Sequence, residues 1–366
     1  MGRQLLKITP MSELFFRDGI TMEQGTSNWL ISKVIPNLSV FYGALISLQL
    51  RKGEFGDILE LVKKSSQAEN KKEIQDKIDI KLRERIKIHG IYLVADRELY
   101  MPAPLDLFYN EKETVKKGEY KSGLIYPPEM EKVDEVWERG DEKFIKLFHY
   151  NEKYRKNDME NLRLYDSNNF FSYYHKVGLT IGNNRMNIEG DLYFADMVTF
   201  VKKDMGYVLD VEWEEPVSDL AEEEVIQLGG ERKIALIEEL REDSWEYEQW
   251  QELRKQEEQC QTECTIEGLV KIVFTAPLLL PEEENNIISE NEKKVKIIVS
   301  SMKKTDYIGG YNMAIGEQRK MRKAIPAGSV FLLEIREKIQ GSIYDYIKKI
   351  LNQKNTDKEF VSFLVV

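Results

Sequence analysis

The segment SVFLLEIREKIQGSIYDYIKKILNQKNTDKEFVSFLVV (329–366) decides the fold class. Ser329–Ile335 reads as a strand, Ile343–Leu351 as a helix and Phe360–Val365 as a closing strand. Strand, helix and strand in succession suit an α+β sandwich, with helices over one antiparallel sheet. Upstream, Gly268–Phe274 and Val295–Ser300 read as further strands. Leu192–Val201 and Gly206–Trp213 read as a β-hairpin turning at Lys202–Met205. Such a hairpin argues against a doubly wound parallel sheet. After Gly229-Gly230-Glu231-Arg232, the stretch Ile234–Gln256 has helical spacing through Leu236, Leu240, Tyr247 and Leu253.

Toward the N-terminus, Leu5–Ile8 opens as a strand, and Asp18-Gly19 marks a turn after Phe16-Arg17. Ser27 can cap a short helix. Phe41–Arg51 is expected to be helical, with Ala44, Leu45, Leu48 and small Gly43 on one side, where Gly43 lets another backbone approach closely. Glu54–Lys64 has fair helical spacing, Lys71–Glu84 reads as a charged helix or arm, and Ile86–Val94 as a strand. Pro102 and Pro104 forbid a central strand and give a rigid extended connection. Residues 110–175 are polar and rich in tyrosine, including Tyr120, Tyr150, Tyr154, Tyr173 and Tyr174, and read as an insertion built of loops. No repeat recurs at a fixed period.

The chain has 366 residues with 53 Lys+Arg against 64 Asp+Glu, a net charge of −11. That excludes a protein coated in cations, because phosphate binding is driven by Lys and Arg. The distribution is uneven: residues 201–264 hold 7 basic and 20 acidic side chains, while 1–200 and 265–366 are close to neutral. The acidic stretch is either a solvated face or a surface for a basic partner. The length suggests two domains, or one with large insertions. No apolar run is long enough to span a bilayer, and MGRQLLKITP lacks a signal-peptide core. Two cysteines, Cys260 and Cys264, cannot build a disulfide framework and point to a reducing cytoplasm. With no histidine nearby they make a poor zinc site.

No P-loop, GxSxG elbow or HExxH occurs. Of the three histidines, His89 falls in a strand, and His149 and His175 fall in or at the edge of the insertion; each could act as a general base for RNA cleavage, but nothing in the sequence clusters with them, and the structural reading is preferred. The stretch SMKKTDYIGGYNMAIGEQRKMRKAIPAGS (301–329) stands apart. Lys303, Lys304, Arg319, Lys320, Arg322 and Lys323 face only Asp306 and Glu317, with Gly309, Gly310, Gly316 and Gly328 and tyrosines 307 and 311 between. Cations for phosphates, glycine amides for close approach and aromatics for unpaired bases would together hold single-stranded nucleic acid; a flexible soluble loop fits equally well.

Taken together, the motifs resemble a family. Phe16-Arg17-Asp18-Gly19, Tyr42-Gly43-Ala44-Leu45, Pro102-Ala103-Pro104-Leu105-Asp106, Val177-Gly178-Leu179, Gly190-Asp191-Leu192-Tyr193, Leu228-Gly229-Gly230-Glu231-Arg232, Gly309-Gly310-Tyr311-Asn312 and Ala324-Ile325-Pro326-Ala327-Gly328-Ser329-Val330 occur in order along nearly the whole chain. This set resembles the third subunit of the Cmr effector complex, a type III-B CRISPR protein of the RAMP superfamily and its Cas five-like group. Ile20 and Met22, Ile46, and the run Arg319–Lys323 depart from the family pattern.

The resemblance implies two ferredoxin-like (RRM-like) domains with insertions. The expected division is 1–110 for the first, 111–175 for an aromatic-rich insertion, and 176–366 for the second, which carries the acidic segment 201–264 and a glycine-rich loop at 306–328. It implies a non-catalytic subunit without cofactor or metal. Its partners would be the 5′ tag of CRISPR RNA, the large polymerase-like Palm-domain subunit and a backbone RAMP subunit, with no membrane. The residues expected at the RNA are Arg17, Gly43, Arg232, Gly309, Gly310, Tyr311, Arg319, Lys320, Arg322 and Lys323. Asp18, Gly19, Pro102, Pro104, Asp106, Gly229, Gly230, Glu231, Pro326 and Gly328 are expected to shape the backbone, with Asp106 in a turn or cap and Glu231 orienting Arg232 or accepting from a backbone amide. A RAMP-type endoribonuclease that processes repeat RNA is the alternative.

Overall fold

Burial of apolar residues on both faces singles out one strand as the centre of the structure: Gly206–Trp213 is buried almost throughout. The computed structural model describes residues 2–16, 28–65, 73, 77–78, 81, 85–121, 124–128, 136–181, 187–213, 223–259, 268–280, 294–312, 317–337, 339, 342–352 and 362–366. The first strands are β1 (Gly2–Pro10), β2 (Asn28–Ile31), β3 (Ile86–Ala95) and β4 (Glu98–Pro102). Helices α1 (Leu38–Arg51) and α2 (Gly56–Ser65) lie between β2 and β3. Short strands follow: β5 (Leu107–Asn110), β6 (Val115–Lys117), β7 (Glu119–Lys121), β8 (Leu124–Tyr126), β9 (Trp137–Arg139), β10 (Lys143–Lys146) and β11 (Tyr165–Asp166). Then come β12 (Phe171–Ile181), β13 (Asn187–Phe200), β14 (Gly206–Trp213), β15 (Glu224–Gln227), β16 (Ile234–Glu239) and helix α3 (Trp245–Gln259). The C-terminal part has β17 (Gly268–Phe274), β18 (Leu278–Leu279), β19 (Val295–Ser301), β20 (Asp306–Asn312), β21 (Glu317–Ile325), β22 (Val330–Ile335), helix α4 (Ile343–Asn352) and β23 (Phe363–Val365).

Two sheets organise these elements. The larger has eight strands in the order β11-β10-β4-β3-β14-β1-β16-β15, and the C-terminal sheet has four, β19-β22-β17-β23. Within both, four strands stand in the same spatial order, second-third-first-fourth: β3-β14-β1-β16 and β19-β22-β17-β23, all antiparallel. Period-two alternation sends Tyr207, Leu209, Val211 and Trp213 of β14 to a core shared with α1 and α2, through Leu38, Phe41, Leu45, Leu48 and Ile58. Val208, on the opposite face, packs with Tyr150 and Tyr154 of the insertion, Trp250 and Leu253 of α3, and Val273, Val330 and Leu364 of the C-terminal sheet. A third core lies under α4, where Ile343, Ile347, Ile350 and Leu351 recur at helical spacing against Phe274, Phe331 and Phe363. Each such buried side chain contributes about 1.5–3 kcal/mol. The fold is mixed α/β and dominated by strands.

Several expectations are corrected. Leu192–Val201 and Gly206–Trp213 do not pair: β13 lies between β12 and β2 in a separate sheet, while β14 lies between β1 and β3. A strand apolar on both faces is stable only where both faces are covered, which takes β14 to the middle of the large sheet. Ile234–Gln256 is not one helix: Ala235 and Ile237 are buried at strand spacing in β16, and α3 begins at Trp245. The stretch after Ser27 is β2, not a helix, and Asn37 is the residue that caps a helix, its Oδ1 accepting from the Ser39 amide of α1 at 2.8 Å. Pro102 ends β4, opposite Phe144. The 110–175 stretch is no set of loops but short strands, a helical turn at Leu147–His149 and a π-helical turn at Tyr150–Tyr154. The sheets also divide the chain elsewhere than at residue 176, since β14 and β16 complete the sheet of β1 and β3. Among the described residues no helix is long and apolar enough to cross a membrane. Most of Lys71–Glu84, together with Cys260 and Cys264, lies outside the described residues.

Candidate nucleic-acid interface

Backbone pairing holds Glu13–Phe16 in place. Leu14 exchanges hydrogen bonds with Val198 of β13; the Phe16 amide donates to Ser32 Oγ at 2.9 Å, and the Lys33 amide donates to the Phe16 carbonyl at 2.9 Å. Arg17, Asp18 and Gly19 lie outside the described residues, as does the rest of 17–27. The chain therefore enters that segment from a fixed point at Phe16 and leaves it at β2.

Against Phe15 and Phe16 lies the turn between β15 and β16. The Gly230 amide donates to the Phe15 carbonyl at 2.9 Å. Gly229 has φ +77°, and a Cβ there would stand 2.8 Å from the Phe15 carbonyl oxygen, so only glycine fits. Glu231 and Arg232 then both take positive φ, 56° and 55°, and the Lys233 amide donates back to the Gly230 carbonyl at 3.3 Å. This is a tight hairpin turn that ordinarily selects Asn or Gly at both centres. Holding two other residues there costs about 1–2 kcal/mol each, and strain of this kind collects at functional sites. Arg232 is exposed and has no partner among the described residues. Glu231 Oε2 accepts from Lys176 Nζ at 2.8 Å. Lys233 pairs with Glu13, and that hydrogen bond holds the Glu13 carboxyl below its usual range.

The glycine-rich stretch is a hairpin, not a loop. Strands β20 and β21 pair with Tyr307 opposite Lys323, Ile308 opposite Arg322 and Gly310 opposite Arg319, with a register shift between Ile308 and Gly310. Gly309 sits in that shift, as glycine in strands often does. Tyr307, Met321 and Lys323 are exposed. Arg322 is turned inward, donating through Nε and Nη2 to the Leu280 carbonyl at 3.1 and 2.7 Å. Strands β20 and β21 carry Gly310, Tyr311, Arg319 and Lys320, whose side chains lie outside the described residues. Lys33 Nζ reaches Asp306 Oδ1 at 2.8 Å, so this hairpin is tied to the chain just after β2.

The remaining motif residues build the frame. The Leu105 amide donates to the Gly328 carbonyl at 2.8 Å, and the Gly328 amide to the Phe274 carbonyl at 2.7 Å. Gly328, at φ +84°, would place a Cβ 2.7 Å from the Ala103 carbonyl oxygen. Ser329 Oγ donates to the Pro326 carbonyl at 2.7 Å. The Pro102-to-Asp106 and Pro326-to-Gly328 motifs thus dock on each other, joining the large sheet to the C-terminal one. Asp106 does sit in a turn, yet its side chain is fully buried: it accepts from Tyr120 Oη at 2.5 Å, from Tyr154 Oη at 2.9 Å and from Lys271 Nζ at 2.8 Å. Gly43 is exposed on α1, and among the described residues nothing stands within 4 Å of where its side chain would be.

The histidines separate. His89 Nε2 donates to Glu212 at 2.6 Å in a largely buried pair. His149 is half-buried, with no partner for Nδ1 among the described residues, and burial lowers its pKa. His175 does have neighbours, contrary to the sequence reading: its Nδ1 lies 2.6 Å from Asp196 Oδ1, and Trp29 stands edge-on to its ring. The alternations Trp29-Ile31 and Tyr173-His175-Val177 carry the signal that would have found this group. Among the described residues no three His, Cys, Asp or Glu side chains are placed to hold a metal ion.

The family of this strand-rich frame is shown by sequence: residues 6–356 match the family model described as CRISPR-associated protein (Cas_Cmr3). The chain belongs to that family, the third subunit of type III-B Cmr complexes. It is similar over 98% of its length to a chain from a cryo-EM structure of the type III-B Cmr-beta bound to cognate target RNA, covering 94% of that chain, at 18% identity and a TM-score of 0.51. A chain from the same assembly with AMPPnP also bound, in state 1, gives 18% identity, the same coverage and a TM-score of 0.52. At this identity the likeness shows the fold alone. No curated protein matches the sequence.

Proposed function

We propose that this chain is a non-catalytic, RNA-binding subunit of a type III-B effector complex, holding the 5′ tag of CRISPR RNA and docking the large Palm-domain subunit and a backbone RAMP subunit. Arg232 carries the reading. It is an exposed, unpartnered guanidinium among the described residues, held on a strained turn against the chain that leads into Arg17. A guanidinium in that position suits bidentate contact with a phosphate. Tyr307 and Lys323, exposed on the β20–β21 hairpin, offer a ring and a charge to single-stranded RNA. The shared strand order of the two sheets supports two ferredoxin-like units. The test is binding of tag RNA by the purified chain with and without Arg232→Glu and Lys323→Glu. Loss of affinity and a shallower salt dependence are expected, and unchanged binding would remove this face from the grip.

The endoribonuclease reading has one observation in its favour, the hydrogen bond between exposed His175 and Asp196, which resembles a base held by a carboxylate. Incubation with repeat RNA in the absence of metal tests it: site-specific cleavage abolished by His175→Ala would replace the scaffold reading.

A further inference from the structure

The sheet β12-β13-β2 is buried at one end and stands clear at the other. Phe171, Val198 and Phe200 enter the aromatic core around Tyr207. Beyond them, two cross-strand rows share the same face. One row is Trp29, Phe194 and Val177; the other is Ile31, Asp196 and His175. Trp29 is 52% exposed and lies nearly parallel to Phe194, ring centroids 5.5 Å apart at 22°. Its Nε1 donates to Asp196 Oδ2 at 2.7 Å, while the other oxygen of Asp196 takes His175 Nδ1 at 2.6 Å. The carboxylate thus fixes two exposed rings at once.

We infer that Trp29 is a stacking seat for one unpaired nucleobase, with Phe194 behind it and Asp196 and His175 as its positioning residues; this rests on the RNA-binding reading above. An exposed indole that is already locked loses little rotamer freedom when a ring stacks on it. The chemistry of this face favours a base over an apolar protein surface. Ile31 and Val177 are the exposed aliphatic side chains on this face among the described residues; the exposed rings beside them, Trp29, Tyr173 and His175, all carry polar atoms, and Trp29 Nε1 and His175 Nδ1 are hydrogen-bonded. The charge of Asp196 keeps phosphates off the ring, so the sugar-phosphate backbone passes to the side. Lys33, two residues beyond Ile31, is paired with Asp306 and joins this strand to the β20-β21 hairpin.

The experiment titrates the purified full chain with short single-stranded RNA and with the same RNA carrying abasic sugars. Trp29→Leu is expected to weaken binding of the normal RNA roughly tenfold, without changing its salt dependence. It should leave binding of the abasic RNA unchanged, and Trp29→Phe should keep most of the affinity. Equal effects of Trp29→Leu on both RNAs, or none on either, would overturn the seat. If Arg232→Glu weakens both RNAs while Trp29→Leu weakens neither, the RNA-binding reading stands and the seat falls. Failure of the wild-type chain to bind any RNA sinks both. If Trp29→Leu instead releases another subunit from the co-purified complex with RNA affinity intact, the face is a protein contact and the inference is wrong.

Discussion

Asp106 and Lys271, 165 residues apart, meet as an ion pair in which the carboxylate is wholly buried, with Nζ 2.8 Å from Oδ2. Tyr120 and Tyr154 donate their hydroxyls to the same carboxylate, and the Lys271 ammonium lies over both tyrosine rings at 4.9 and 5.4 Å. One acidic side chain therefore ties the chain after β4, the insertion and the C-terminal sheet together. Removing the cation leaves a buried charge with only two neutral donors. Lys271→Met is expected to destabilise the fold by about 3–5 kcal/mol, read by urea unfolding. A loss below ~1 kcal/mol would mean that the tyrosines alone suffice.

Lys117 sits beside this cluster with the opposite balance. Burial, and then repulsion from Lys271, pull its pKa down to about 8. Its Nζ donates to the Tyr154 carbonyl at 2.8 Å. A folded value below the unfolded one means that the charge opposes folding at neutral pH, and that this penalty fades as pH rises through 8 toward 10.5. Lys117→Met should raise Tm at pH 7, with an advantage that shrinks between pH 8 and the unfolded value. A pH-independent difference would contradict the assignment.

The His89–Glu212 pair predicts acid sensitivity. Burial lowers the His89 pKa, and the hydrogen bond from His89 brings the Glu212 carboxyl down to about 2. Below the ordinary histidine value near 6.5, the unfolded chain takes up a proton that the folded one resists. Glu212 adds a second loss between its unfolded value of 4.5 and about 2. Stability should fall as pH is lowered from 7, and fall less steeply in His89→Gln. Parallel profiles for the two proteins would argue that other groups dominate.

At the Glu231–Arg232 turn, stability and binding should part company. Glycine relieves a left-handed backbone that other residues tolerate poorly. Arg232→Gly is expected to stabilise the fold by up to ~1 kcal/mol while lowering RNA affinity. Glu231→Gly should stabilise similarly but release Lys176, leaving Arg232 in place. Thermal melts and RNA titrations on the two variants separate the effects; if Arg232→Gly destabilises, the turn is not strained.

What the sequence discloses follows from how local each signal is. The elements 86–95, 268–274, 295–301, 330–335 and 343–352 are legible because their apolar periods are regular and continuous. The pairing of β14 with β1 and β3 is not, because a short turn signal at 202–205 looks the same whether the chain folds back or passes to another sheet. Among site residues, the Gly229-to-Arg232 turn and the docking of Pro104 and Gly328 motifs lie at positions that the motifs mark. The roles of Asp106, Glu231 and Arg322 depend on partners at 271, 176 and 280, which no local pattern reveals. The Trp29–Asp196–His175 group is hidden for the same reason, since it spans three strands.

The position of β1 has a consequence for synthesis. Its two neighbours in the sheet are β14 and β16, ending at Trp213 and Glu239. Strand β1 must therefore wait for roughly 200 residues of later chain, on the order of 10–45 s at bacterial to eukaryotic elongation rates, with both hydrogen-bonding edges open. During that interval Leu5, Leu6 and Ile8, fully buried in the finished protein, are exposed on an unpaired strand. The nascent chain is open to misassociation at β1 throughout that interval, and a chaperone acting on this protein would find a client segment there.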